Sequence, residues 1–250
     1  MKHLSKIEFK SLKKSDTIVV YGSGYSVNNI LQDSVLRKQL GEYDSIGFNW
    51  FLKSRIPTTY YAIREQSNTD KRICNNETRD ILYKDINSYY KSSALIIHKL
   101  DMKYHKKNTF CYSGSVDKFS GNGIIINDIK FDNNLNRVDL WKKTDIFDIG
   151  IIHGKISLNG VCHFSINMGY ERIIFAGIDL NDSRYFWLQK DQPRHTIEKK
   201  KKNIGDKHPV YNDTISLIGD MRKHLKIKME VVNKTSLLRI IGRIPVWKPK

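Results

Sequence analysis

Four short apolar runs, separated by polar stretches, mark the first hundred residues. Residues 16–21 (DTIVVY) form a β-branched run that ends directly in glycine, a pattern that predicts a buried strand. Ser26 follows and is expected to cap the next helix at its N-terminus. The polar pattern of residues 76–90 predicts a helix. Further strands are predicted at residues 45–48, 58–63 and 94–98.

The second half of the chain returns to this alternation after an irregular segment. Residues 121–150 contain two apolar groups around Asn127 and Asp128, which predicts an inserted hairpin or a loop packed over the sheet. Alternating helices and strands predict an α/β fold, with a Rossmann-like, mostly parallel sheet flanked by helices. The later elements are predicted as a helix at 160–168, a strand at 172–176, a helix at 212–225 and a strand at 227–232.

The segment from about 180 to 208 has few aliphatic side chains and contains four consecutive lysines at 199–202. This composition is typical of a loop or a small lid. The length of 250 residues suits one substantial domain. We therefore expect a single domain over residues 1–250, with an insertion at about 113–150 and a basic amphipathic tail at 237–250.

The chain is strongly basic, with 43 Lys and Arg against 26 Asp and Glu and a formal net charge of +17. Such an excess favours an anionic partner: nucleic acid, anionic lipid, or a phosphorylated or carboxylated substrate. The three cysteines form no CxxC motif, which favours a reducing compartment. We expect a cytoplasmic protein, because no apolar secretory segment and no apolar stretch of roughly 18 residues is present.

The tail, LLRIIGRIPVWKPK, interleaves Leu, Ile, Val and Trp with four cations. Apolar anchors among cations suit an anionic membrane interface, which predicts peripheral contact with the inner face of the cell membrane. The alternative is a tail that packs on its own domain. A homo-oligomeric assembly is left open by the sequence.

Two glycine-bearing turns follow predicted strands and carry the first candidate chemistry. Glycines at such turns let a nucleotide approach the backbone, and the start of the following helix favours phosphate. Because ligands of open α/β sheets bind beyond the carboxyl ends of strands, both turns could line one crevice. The alternatives are plain tight turns and an aspartate that caps the next element. The turn residues are Gly22, Ser23, Gly24, Gly177, Ile178 and Asp179.

Four polar side chains add candidate roles. His208 lies between the basic lid and the last helix, where a histidine could act as a general base. Arg184 and Tyr185 can donate hydrogen bonds to a phosphate, although Tyr185 could equally be a packed aromatic. Asn49 ends the second predicted strand, where it could bind a base or ribose or simply form a turn.

Taken together, these segments resemble the bacterial sialyltransferases of glycosyltransferase family 42 and the related domain-of-unknown-function-115 proteins. The family opens with a strand and a G-N-G-P-S turn, and its later motifs occur in this chain in the same order. A Cys-Asn strand end compares with Phe48-Asn49, and a T-S-G segment before a buried helix compares with Leu158-Asn159-Gly160. The remaining matches are Gly22-Ser23-Gly24-Tyr25-Ser26, Gly177-Ile178-Asp179, His208 and Lys226-Ile227-Lys228-Met229.

The resemblance implies an inverting transfer of sialic acid or a related acidic sugar from a CMP-activated donor to a glycan or glycolipid acceptor. It implies no metal and no cofactor beyond the donor substrate. His208 would deprotonate the acceptor, Tyr185 would steady the departing phosphate, and Arg184 or a lysine would replace a lid tyrosine of the family. The implied donor-binding residues are Gly22, Ser23, Gly24, Asn49, Ser157, Asn159, Gly160, Gly177, Ile178 and Asp179.

Two other classes of protein are alternatives to this interpretation. The charge alone would suit a basic nucleic-acid-binding protein, but the sequence has no zinc finger, RNP1 or other reader motif. A pyrophosphokinase-like nucleotide enzyme would need carboxylates for Mg²⁺. The nearest approach to a DxD motif is Asp179-Leu180-Asn181-Asp182, which is no convincing set.

Overall fold

The computed structural model describes residues 1–64, 84, 86–99, 119–129, 138–152, 156–180, 185–186 and 209–249. In these ranges the chain forms one parallel sheet with helices on its faces, as the sequence predicts. The predicted helix over 76–90 is described only at residues 84 and 86–90, of which 84 and 86–89 are helical. The predicted lid lies almost entirely outside the described residues.

The described part contains nine strands, and each pairs with its neighbours in parallel. Their order across the sheet is β1-β6-β5-β4-β3-β2-β8-β9, and β7 pairs with the end of β6. The strands are β1 Lys2–His3, β2 Thr17–Tyr21, β3 Asp44–Phe48, β4 Tyr60–Arg64, β5 Ala94–Lys99, β6 Asn122–Ile129, β7 Ile151–Ile152, β8 Arg172–Ala176 and β9 Lys228–Val231.

The helices connect successive strands and cover both faces of the sheet. They are α1 Lys6–Lys10, α2 Val27–Gln32, α3 Ser34–Leu40, a 3₁₀ helix Asn49–Ser54, α4 Val138–Lys143, α5 Ser157–Asn167, α6 Pro209–His224 and α7 Leu237–Ile240. The predicted helix at 160–168 thus begins three residues earlier, and the one at 212–225 also begins three residues earlier. Such shifts are ordinary at helix ends, where capping decides the first turn.

The apolar run of β2 is continuous because the strand is buried on both faces. Ile18 and Val20 pack into one core cluster together with α5, whereas Val19 and Tyr21 pack into the other with α2 and α3. All four side chains are at most 2% exposed. Each buried Val or Ile contributes about 1.5–3 kcal/mol, so β2 anchors the centre of the sheet.

One segment differs from the sequence prediction. Asn122–Ile129 is a single strand of the main sheet and not part of an inserted hairpin or of a loop over the sheet. Asn127 and Asp128, read as a turn signal, pair with Lys99 of β5 and Ile151 of β7. Strand pairing on both sides therefore overrides their local preference for turns. The rest of the predicted insertion lies partly outside the described residues.

The tail packs on its own domain, which was the alternative to membrane anchoring. Leu238 and Ile244 are fully buried, and Trp247 is 5% exposed. The backbone of Trp247 donates to Val231 O at 2.8 Å, so this segment follows the edge of β9. Most of the apolar anchors expected to enter a membrane are thus part of the core, whereas Ile240 and Ile241 stay exposed. None of the helices that the structure describes is long and apolar enough to span a bilayer.

Candidate functional site

The strand order reverses between β2 and β8. From β2 the chain builds outward through β3, β4, β5 and β6, and it then returns to β8 on the other side of β2. In open α/β sheets this reversal opens a crevice beyond the carboxyl ends of the two strands, and ligands bind there. The two predicted glycine turns follow these two strand ends, so the fold brings them together as expected.

The two turns pack directly against each other. Gly22 N donates to Ala176 O at 2.8 Å, and Gly24 N donates to Gly177 O at 2.9 Å. A methyl group on Gly24 would lie 2.6 Å from Asp179 Oδ2, closer than real side chains approach. Gly177 has φ +69°, a conformation that favours glycine. The contact between the turns and the backbone conformation of Gly177 therefore account for the need for glycine at these positions, whether or not a ligand binds there.

Asp179 joins three segments of the crevice. The residue is 4% exposed. Its Oδ2 accepts from Ser26 N at 2.8 Å, while its Oδ1 accepts from the Ser26 hydroxyl and from Asn233 Nδ2. Ser26 was predicted to cap α2 with its own side chain, but its hydroxyl makes no such bond. Asp179 instead accepts the N–H of Ser26 at the start of α2, so it stabilises the element after the first turn and not the element that follows Asp179 itself.

A second polar group lies at the end of β3. Asn49 has a left-handed backbone with φ 54°, and its Oδ1 accepts from Ser157 Oγ at 3.2 Å. Asparagine tolerates this backbone conformation better than most residues. Tyr61 holds the turn, because its hydroxyl donates to Asn49 O at 2.5 Å and accepts from Leu52 N at 2.8 Å. The hydrogen bond from Ser157 to Asn49 links the end of β3 to the start of α5.

The first turn of α5 carries an unsatisfied polar group. Asn159 is 4% exposed, and its Oδ1 has no hydrogen-bond partner among the described residues. Buried polar atoms are nearly always paired, so an unpaired one requires an explanation. Ile156 at the N-cap has no side-chain oxygen to receive the first-turn N–H groups of α5. Gly160 is buried in the same turn.

Two residues of the predicted lid contact the first glycine turn. Tyr185 forms an antiparallel bridge with Gly24, and Phe186 N donates to Ser23 O at 3.3 Å. The Tyr185 side chain is half-buried. Arg184 and His208 lie outside the described residues, and His208 directly precedes Pro209, the first residue of α6.

The sequence prediction missed the residues that hold the site together. Tyr61 and Asn233 support Asn49 and Asp179 but belong to no recognisable motif. Their partners are distant in sequence, so only the fold reveals them. Within the described ranges, no group of three or more His, Cys, Asp or Glu side chains is arranged to hold a metal ion.

A scan against protein-family models gives no match, and a search of curated proteins also gives none. The search of solved structures gives clear similarity. The sialyltransferase CST-II in complex with a trisaccharide acceptor and CMP aligns with a TM-score of 0.51 and 16% identity, over 93% of this chain and 86% of that chain. CstII from Campylobacter jejuni in complex with the substrate analogue CMP-3FNeuAc aligns with a TM-score of 0.51 and 17% identity, over 93% and 86%. The chain therefore shares the fold of a bacterial sialyltransferase, which confirms the resemblance at the level of the fold.

Proposed function

We propose that this protein is a glycosyltransferase that takes its sugar from a CMP-activated donor. The transferred sugar is sialic acid or a related acidic sugar, and the acceptor is a glycan or glycolipid. The carrying observation is the set of polar groups at the end of β3 and the first turn of α5, where Ser157 bonds to Asn49 and the buried Asn159 oxygen has no partner among the described residues. Structures of similar fold contain CMP in their complexes.

The buried Asn159 oxygen supports cytidine over uridine. An unpaired acceptor is satisfied by a donor on the ligand, and cytosine carries an amino group where uracil carries a carbonyl oxygen. A site that hydrogen-bonds one group strongly rejects an analogue that lacks it, because a buried polar atom is then left unpaired. On this proposal, Asn159 contributes to the choice of base, while Ser157 and Asn49 hold the nucleoside.

The proposed transfer inverts the anomeric carbon in one displacement. His208 takes the proton from the acceptor hydroxyl as its oxygen bonds to that carbon, and the bond to the CMP phosphate oxygen breaks. Tyr185 and Arg184 donate hydrogen bonds to the departing phosphate. The reaction needs no metal in this scheme, because these donors meet the charge of the leaving group.

The proposal is tested by a thermal-shift screen of CMP, UMP, CDP, UDP, GDP and ATP, with and without EDTA. CMP should stabilise the protein most, by about 2.7 kcal/mol at 100 times its Kd. EDTA should leave this shift unchanged. Asn159→Leu should reduce the preference for CMP over UMP, since leucine has a similar side-chain volume but no acceptor oxygen. A larger shift with UDP or ATP than with CMP would exclude the CMP-sugar donor.

We also propose peripheral membrane contact, through a smaller surface than the sequence suggests. Ile240 is 60% exposed and Ile241 is 46% exposed at the end of α7. The exposed Arg239 and Arg243 flank them. Two exposed apolar side chains between arginines suit a surface of anionic lipid.

A vesicle-sedimentation assay tests this contact. Serine at both Ile240 and Ile241 should weaken sedimentation with vesicles containing phosphatidylserine. Ile7→Ser is the matched control, because Ile7 is 82% exposed but lies at the other end of the chain. Equal sedimentation of the double variant and the control at low salt would refute the contact.

A further inference from the structure

The described structure contains a cavity near the amino ends of the strands, whereas the crevice lies beyond their carboxyl ends. Its volume is about 330 Å³, near the lower end of the range of about 300–1,000 Å³ for ligand sites. Most of the lining comes from residues at or before the amino ends of β2, β3, β4, β5 and β6, among them Lys14, Ser45, Thr59, Ser92 and Asn122, and Tyr21 at the last position of β2 also contributes. Arg37 reaches the cavity from α3.

The charged lining is cationic. Lys14 and Arg37 line the cavity, and no Asp or Glu is among its described lining residues. In the part of the chain that the structure describes, neither cation forms a salt bridge. Arg37 donates from Nη1 to Leu31 O at 2.9 Å, which leaves the other N–H groups of its guanidinium for a ligand. In the neighbouring Asp44, Oδ2 accepts from the backbone N–H groups of Lys14 and Ser15 and from a tyrosine hydroxyl.

Two hydroxyl groups add hydrogen-bond donors. Ser45 N donates to Thr59 Oγ1 at 3.0 Å, and Thr59 N donates to Ser45 Oγ at 3.2 Å. Both oxygens therefore act as acceptors, and neither hydroxyl proton is given to an acceptor among the described residues. Two cations and two spare O–H donors around a carboxylate-free cavity match the oxygens and the double negative charge of a phosphate monoester.

We infer that this cavity is a second ligand site, which binds a small phosphorylated compound no larger than a sugar monophosphate. Lys14 and Arg37 contact the phosphate oxygens, and the hydroxyls of Ser45 and Thr59 donate to the phosphate or to the sugar. The inference does not rest on the proposed function, because none of these residues belongs to the crevice between β2 and β8.

Isothermal titration with glucose 6-phosphate tests the site, at constant ionic strength and with CMP present to fill the crevice. Lys14→Gln and Arg37→Gln should each weaken binding about tenfold, the effect of losing one charge-assisted hydrogen bond. Lys38→Gln is the matched control: it removes the same charge from the neighbouring exposed position of α3, outside the lining. Circular dichroism and thermal melts establish that each variant is folded.

Glucuronate and glucose distinguish the chemistry of the ligand. Clearly weaker binding of both compounds supports the phosphate site. Glucuronate binding as tight as that of glucose 6-phosphate would overturn the assignment to phosphate. Absence of binding to the unmodified protein at millimolar concentration, or equal binding by all three variants, would overturn the site itself. If CMP fails to bind, the proposed donor is wrong, but the comparison of the three variants still decides this inference.

Discussion

Replacing Asp179 by Asn separates a structural role of this carboxylate from a role in ligand binding. The substitution preserves the volume of the side chain but turns one oxygen into an amino group. Because both oxygens of Asp179 accept hydrogen bonds, the amino group must face either the Ser26 N–H or the two donors on the other side. Either orientation places a donor against a donor in a residue that is 4% exposed.

The expected loss is large for a single substitution. A hydrogen bond to a charged group contributes about 1.5–3 kcal/mol, and a buried donor left unpaired costs about 1–3 kcal/mol. We expect Asp179→Asn to lower the free energy of unfolding by about 2–4 kcal/mol. For a chain of this size, a loss of about 3 kcal/mol corresponds to a drop in Tm of roughly 6–12 °C.

Equilibrium unfolding in urea, followed by tryptophan fluorescence, measures the effect. The midpoint should fall while the slope with urea stays constant. Ser26→Ala should cost about 1 kcal/mol, and the double variant should show a coupling energy of about 1 kcal/mol, because the two residues share a hydrogen bond. Asp33→Asn is the control, since Asp33 caps α3 at an exposed position with one bond and Asn caps a helix equally well.

The reasoning would be refuted by an Asp179→Asn variant that unfolds like the unmodified protein. If that variant also bound CMP far more weakly, Asp179 would serve the ligand directly, as the sequence resemblance implies. The opposite pattern, lower stability with CMP affinity nearly unchanged after correction for the unfolded fraction, would establish the structural role.

Three further predictions concern the base, the crevice and acid stability. His208→Ala should reduce kcat by about 10²- to 10⁴-fold with little change in donor Kd, since a general base acts on the acceptor; unchanged turnover would remove it from the mechanism. Gly24→Ala should destabilise the fold by about 1–3 kcal/mol, because the new methyl would meet Asp179. Gly219→Ala, with nothing within 4 Å of the new methyl, should stabilise α6 by up to about 1 kcal/mol in the same urea assay. Burial lowers the pKa of His163 from 6.5 to about 4. The unfolded chain therefore binds an extra proton between these values, so stability should be complete above pH 6.5 and fall by about 3 kcal/mol as the pH drops to 4. His163→Gln should flatten this dependence in urea titrations at several pH values.

The fold class was predictable because its signals are local. Residues 16–21 and 172–176 are continuous apolar runs followed by glycine, and such runs have few alternatives to buried parallel strands. The structure places strands at Thr17–Tyr21 and Arg172–Ala176. The prediction failed at Asn127 and Asp128, where pairing with strands distant in sequence outweighs a local preference for turns.

The sequence of the tail, residues 237–250, also does not predict where its side chains pack. Its mixture of apolar residues and cations is compatible with a membrane surface and with a core, since both environments remove apolar side chains from water. Only the fold shows that β9 offers Trp247 and Ile244 a place to pack, which leaves Ile240 and Ile241 exposed.

The sequence by itself determined that two glycine turns follow buried strands, because each turn comes directly after a recognisable apolar run. The tertiary structure decided what these residues do. Asp179 is fully engaged by Ser26 and Asn233, whereas the Asn159 oxygen has no partner among the described residues. Those partnerships depend on contacts between segments up to 153 residues apart, and local sequence pattern carries no information about them.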